Sequence, residues 1–163
     1  EVLAYGLECF LSTFFTFGSL LIMAAIMKVL PWLLIWLAFW FPLRSFLGGY
    51  HASSHGRCYA GSMAVGFINM LLLPVLPAAS VPFLLLTAII VVFRIAPVTH
   101  PNHPLSTAKK IRMRKYALIT VSVEGLIVIL LYFLAPDFSK VVISMFTAAL
   151  LAVIGHFVNK QHY

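Results

Sequence analysis

Apolar residues in this chain come in long blocks rather than in alternation. Near-continuous runs cover residues 8 to 27, 29 to 45, 61 to 79, 82 to 98, 116 to 135 and 138 to 158, and each approaches the roughly 20 residues a helix needs to cross a bilayer. Between them stand residues that stop helices: Lys28 and Pro31, the Gly48-Gly49 pair, Pro77 to Pro82, Pro97 to Pro104, and Pro136-Asp137. The second run is the weakest span. Pro31 and Pro42 bracket its Trp-rich centre, which gains full length only by continuing toward Gly48. In lipid, backbone amides must bond within their own segment, and no run shows the alternating pattern of a barrel strand. The expected fold is all-α: one polytopic membrane domain over residues 1–163 with about six transmembrane helices. No internal repeat or low-complexity tract interrupts it.

Composition changes the picture only by excluding alternatives. Of the residues, 63% are hydrophobic and 9% charged, against about 25% charged in a soluble domain. The runs are too many and too long for a secretory signal, and no soluble domain remains outside them. The chain opens at Glu1 rather than Met, so a native segment ahead of it is to be expected.

Charge then sets orientation. Arg44, Arg57, Arg94, Lys109, Lys110, Arg112, Arg114, Lys115 and Lys160 fall on one side of a six-span arrangement, with Lys28 and Lys140 on the other. By the positive-inside rule the basic side is cytosolic. Both termini, the 44 to 60 loop and the 99 to 115 loop belong there. The net charge of +7 is thereby explained by topology, and nucleic acid is not an expected partner.

One stretch is not built for lipid: "LGGYHASSHGRC", residues 47 to 58. His51 and Cys58 are seven apart, a spacing that puts both on one helix face or lets a glycine-broken turn fold one onto the other. A thiol attacks well only as thiolate, and an imidazole that takes its proton makes the pair a candidate cysteine-peptidase dyad. Arg44 and Arg57 favour the anion, while Gly48 and Gly49 allow close backbone approach and offer amides to a peptide or an oxyanion. Two other readings stay open on spacing alone. Cys58 can be an inert thiol at the interface, or His51, His55 and Cys58, at i, i+4 and i+7, can be zinc ligands. Against zinc, Gly56 interrupts the ligand helix and no carboxylate is near to orient the imidazoles.

The remaining polar residues have plainer readings. Glu124 in the fifth span is expected to pair with Arg94 in the fourth. Cys9 is a small hydrophobe first, and Asn69 is expected to bond a neighbouring helix. The run Lys109, Lys110, Arg112, Arg114 and Lys115 fixes topology and touches anionic lipid.

Taken in order, Arg44, Gly48-Gly49, His51-Ala52 and Cys58 in "RSFLGGYHASSHGRC" resemble the signature of the AgrB family, membrane endopeptidases that process autoinducer propeptides in Gram-positive quorum sensing. "YGLECFLS" at 5 to 12 is similar to the family's opening helix, "APVTHPNHPLS" at 96 to 106 resembles its proline loop, and "KKIRMRKYALI" at 109 to 119 resembles its basic run. His100 and His103 stand where some members carry dense lysine and arginine.

The resemblance implies Cys58 as nucleophile and His51 as general base, with Arg44, Gly48 and Gly49 shaping the site and no metal or other cofactor. It implies an AgrD-like propeptide cut on the cytosolic side through a Cys58 thioester, with cyclisation to a thiolactone or lactone. Glu8 matches a Gln/Glu position of the family and is expected to orient His51, as the third member of a triad does. The basic run is expected to grip an acidic C-terminal segment of the propeptide. Membrane lipids are the other partners, and a homodimer is left open. A small transporter or export channel for a signal peptide is the alternative; it predicts charged residues lining several spans, where only Glu8, Arg94 and Glu124 qualify.

Overall fold

The computed structural model of the chain describes residues 2–49, 55–99 and 105–160, without the side chains of 2–10, 12, 55, 159 and 160. The order is α1 (Val2–Ile26), α2 (Leu30–Leu47), α3 (His55–Val75), a 3-10 turn (Ala78–Ser80), α4 (Val81–Ile95), α5 (Thr107–Leu134), the short α6 (Pro136–Ser139) and α7 (Val142–Lys160). Among the described residues no strand forms, and one isolated bridge joins Gly48 to Val98. Five described stretches, 30–47, 56–75, 78–95, 107–134 and 136–158, are long and apolar enough to cross a membrane, and Thr13–Ile26 of α1 is a shorter sixth. The all-helical, about-six-span expectation therefore holds.

The boundaries differ from expectation where charge was taken for loop. α2 does continue past residue 45, to Leu47, and stops at Gly48 in a positive-φ conformation (φ 72). α5 starts at Thr107, nine residues earlier than the apolar run, because the Ser106 hydroxyl accepts from the Lys109 amide at 3.4 Å and caps it. The basic run is thus two helical turns rather than loop. At 28 residues the helix is about 42 Å long, so its charged start extends beyond a hydrocarbon core of about 30 Å. α3 likewise starts by His55, which puts Cys58 on a helix. α4 ends early, at Ile95, two residues before Pro97.

Two apolar clusters hold the helices. One joins α1, α2 and α3 through Leu20, Ala24, Leu33, Trp36, Met70 and Leu73; the other joins α2, α4, α5 and α7. In the first, Gly66 lets α3 approach α1 so closely that an added Cβ would meet the Leu20 side chain. α7 belongs to both, giving Ile143 to one and Val142, Met145, Ala148, Ala149 and Ala152 to the other, and it packs on α2, α3, α4 and α5. Small side chains permit this, since helix backbones in lipid gain from close packing and not from expelling water. The outward residues, such as Phe15, Ile22, Phe83 and Phe133, are large and apolar, as a lipid-facing surface requires.

Ala148 is fully buried while Leu150 is 46% exposed. Ala148→Leu is expected to destabilise by about 1–3 kcal/mol through overpacking, and Leu150→Ala to change stability by under about 0.5 kcal/mol. Thermal melting in detergent measures both; equal midpoints would show that the small face of α7 is not tightly packed.

Candidate functional site

Where α2 and α4 end and α3 and α5 begin, the helices enclose a cavity of about 780 Å³. Cys58, half-buried in the first described turn of α3, lines it together with Arg44, Arg57, Gly48 and Gly49. A helix N-terminus presents amides with no intrahelical partner and the positive end of the dipole, so an anion is favoured there. Arg44 lies within electrostatic reach of Cys58. Below these polar groups the wall is apolar, built from Phe17, Leu20, Trp36, Trp40 and Val65.

The glycine pair has a backbone reason. The Gly48 amide donates to the Arg44 carbonyl at 3.3 Å, ending α2, and is thereby committed to capping rather than free for a substrate. The Val98 amide donates to the Leu47 carbonyl at 2.8 Å, so the chain after α4 lies against the end of α2. A Cβ on Gly48 would collide with the Val98 carbonyl. Gly49 (φ 139) is as constrained, for a Cβ there would stand 2.8 Å from Arg44 Nη1 and 3.2 Å from the Leu151 carbonyl. The two glycines therefore seat Arg44 and admit Val98, Thr99 and Leu151 to the cavity wall.

The basic run divides by role. Arg114 donates from Nη1 to the Ala96 carbonyl at 2.9 Å and from Nη2 to the Phe93 carbonyl at 3.1 Å, closing carbonyls left open at the end of α4. Met113 lines the cavity; Lys109 and Lys110, four and three residues before it, share its helix face and are exposed. Arg112 and Lys115 point to other sides of α5.

Of the residues singled out in the sequence, the structure brings Arg44, Gly48, Gly49 and Cys58 to one cavity. His51, and the side chains of Glu8 and His55, lie outside what the structure describes, and the dyad and the zinc set lie outside it with them. Two expectations are corrected. Neither oxygen of the buried Glu124 has a partner among the described residues, whereas Arg94 is exposed; Glu124 instead borders a shallow recess with Ala38, Pro42 and Thr120. Asn69 donates within its own helix, to the Val65 carbonyl at 2.8 Å, and not to a neighbour. The residues missed were Trp36 and Trp40, whose spacing of four ahead of Arg44 was the available signal.

Identical Gly→Ala changes should separate by what the new methyl meets. At Gly48 it meets backbone and a positive φ, for an expected loss on the order of 2 kcal/mol or more. At Gly66 it meets the movable end of Leu20 and should cost far less. Chemical denaturation in detergent checks this, and a Gly48→Ala protein as stable as Gly66→Ala would refute the tight seat of Val98.

The family model described as AgrB, accessory gene regulator B, matches residues 1–157, essentially the whole chain. Neither the curated proteins nor the solved structures contain a match.

Proposed function

We propose that this chain, which belongs to the accessory gene regulator B family, is a membrane cysteine endopeptidase that cuts the C-terminal part from a quorum-sensing propeptide. Membership places this multi-pass membrane protein in accessory gene regulator autoinducer processing. The finer reading rests on one observation: a cavity open to polar groups at one end holds a helix-borne cysteine with Arg44 beside it.

In this reading His51 Nε2 or Nδ1 takes the proton from Cys58 Sγ, and the sulfur attacks the scissile carbonyl carbon. The tetrahedral adduct collapses as the C–N bond breaks, and the imidazolium returns its proton to the leaving amine. The N-terminal part stays on Cys58 as a thioester. An internal thiol or hydroxyl of the same peptide, held at high effective concentration, then displaces Cys58 and closes a thiolactone or lactone. Glu8 orients His51. Gly48 and Gly49 shape the wall behind Arg44. Lys109 and Lys110 hold an acidic C-terminal segment at the rim, and Arg112 and Lys115 add long-range attraction for it and for anionic lipid, with Arg114 holding the mouth in shape.

Cys58→Ala and His51→Ala should each abolish cleavage without loss of folding, and His55→Ala should not. A propeptide whose internal Cys or Ser is changed to Ala should still be cut and accumulate on Cys58 as a hydroxylamine-sensitive adduct seen by intact-protein mass spectrometry. Inhibition by a chelator but not by a thiol alkylator, or linear acid released at the normal rate with no adduct, would sink the mechanism.

The site faces the cytoplasm in this proposal, where a new propeptide is found. Ser106→Cys and Ser53→Cys should react with impermeant reagents only in opened cells, and Ala79→Cys in intact ones. Labelling of Ser106→Cys in intact cells would reverse the orientation.

A further inference from the structure

The cavity carries a donor with nothing to donate to. Trp36 lines it, is only 3% exposed, and its indole Nε1 has no hydrogen-bond partner among the described residues. Buried indole N–H groups ordinarily find an acceptor, because an unpaired buried donor opposes folding. The ring is not loose: it stacks on Trp40 with centroids 4.8 Å apart and planes at 18°. Phe17, Leu20 and Val65, which line the cavity with it, have no side-chain acceptor, and the hydroxyls of Thr13 and Thr16, which also line it, do not accept from Nε1; an occupant of the cavity can supply the missing acceptor.

The geometry says what kind of molecule that is. Trp36, Trp40, Arg44 and Gly48 succeed one another at intervals of four along α2, and all line the cavity, so they form one stripe on one helix face. The stripe changes character along its length, from the Arg44 cation, which shares the cavity mouth with Cys58 of α3, to stacked aromatic rings at depth. Arg44 to Trp36 is eight residues, about 12 Å of helix, and an extended peptide covers that in about four residues at 3.3 Å each. A ligand that fits has apolar side chains for the aromatic and aliphatic walls and an uncharged carbonyl oxygen for Nε1. An apolar peptide segment has both, since every residue brings a main-chain carbonyl.

We propose that Trp36 is a substrate-recognition residue, its Nε1–H donating to a main-chain carbonyl of an apolar propeptide segment that enters the cavity within about four residues of the bond attacked by Cys58. This rests on reading the cavity as the peptidase site. The stacked Trp36–Trp40 pair sets specificity by apolar contact, and a charged propeptide residue at this depth is rejected because no opposite charge awaits it there.

The test uses the full-length protein in detergent and the propeptide, with binding read on the Cys58→Ala background so that no chemistry intervenes. Trp36→Phe keeps an aromatic ring on Trp40 and removes the N–H. It should weaken propeptide binding roughly threefold to tenfold, and in the Cys58 protein raise KM with kcat nearly unchanged. Against folding loss, the unmutated Trp36 protein is probed with propeptides in which single amides are replaced by esters, whose carbonyls accept more weakly. One ester position near the scissile bond should weaken binding, and that loss should vanish with Trp36→Phe. Normal binding by Trp36→Phe, or no sensitive ester position in the Trp36 protein, overturns the proposal. If the Cys58 protein cuts the propeptide in those cases, the peptidase reading survives; if it neither cuts nor forms an adduct, the peptidase reading itself has failed.

Discussion

A backbone amide or carbonyl without a partner is hardest to tolerate where helices end close to lipid, and at the mouth of the cavity four ends meet. The answer is built from backbone as much as from side chains. Gly48 turns α2 off and gives its amide back to the Arg44 carbonyl, Val98 binds the Leu47 carbonyl, and Arg114 takes the carbonyls of Phe93 and Ala96. The polar wall of the cavity is what remains after those groups have been satisfied. Arg44 thereby sits on a helix with a fixed end, the kind of support that holds a side chain to a narrow geometry.

How much of this was legible in the sequence depends on the range of the interaction. The spans were legible because lipid demands unbroken apolar runs, and Gly48 because a glycine pair stops a helix. The start of α5 was misplaced: charge suggested loop, although Ser106 two residues after Pro104 was a readable cap. The contact of Val98 with Leu47 joins residues some fifty positions apart and leaves no local pattern. Arg114 could not be told from its basic neighbours, for its role comes from the carbonyls opposite it. Glu124 and Arg94 were matched by sign, yet sign does not say which way two helices face. For the site, Cys58, Arg44 and the glycines were found from residue type and spacing, whereas Trp36 read as one more apolar residue until its N–H was seen to lack an acceptor.

Several features run against local stability. Lysines in the first turns of α5 oppose the helix dipole; an attachment to acidic peptide or lipid gives them a purpose that helix formation does not. Glu124 has no partner for either oxygen among the described residues and lies beside Pro42, whose missing N–H also deprives the Ala38 carbonyl of its usual helical bond. Asn69, buried on α3, has no partner for its side-chain oxygen among the described residues. Local rules are commonly broken where something other than folding is being served, and of the buried unpartnered side chains among the described residues, Trp36, Asn69 and Glu124, it is Trp36 that borders the Cys58 cavity.

The position of α7 has a consequence for synthesis. α7, which packs on α2, α3, α4 and α5, is made after all of them, so those helices enter the membrane with the groove for it still vacant. Until α7 leaves the translocation machinery, the small-residue contacts of the larger cluster have no counterpart, and the Leu151 and Ile154 side of the cavity is absent. The Cys58 cavity therefore gains this wall only once α7 has been made. Ribosome stalling or a nonsense codon before α7 would leave a membrane-inserted bundle without this wall and without the α7 contacts, a target for quality-control proteolysis.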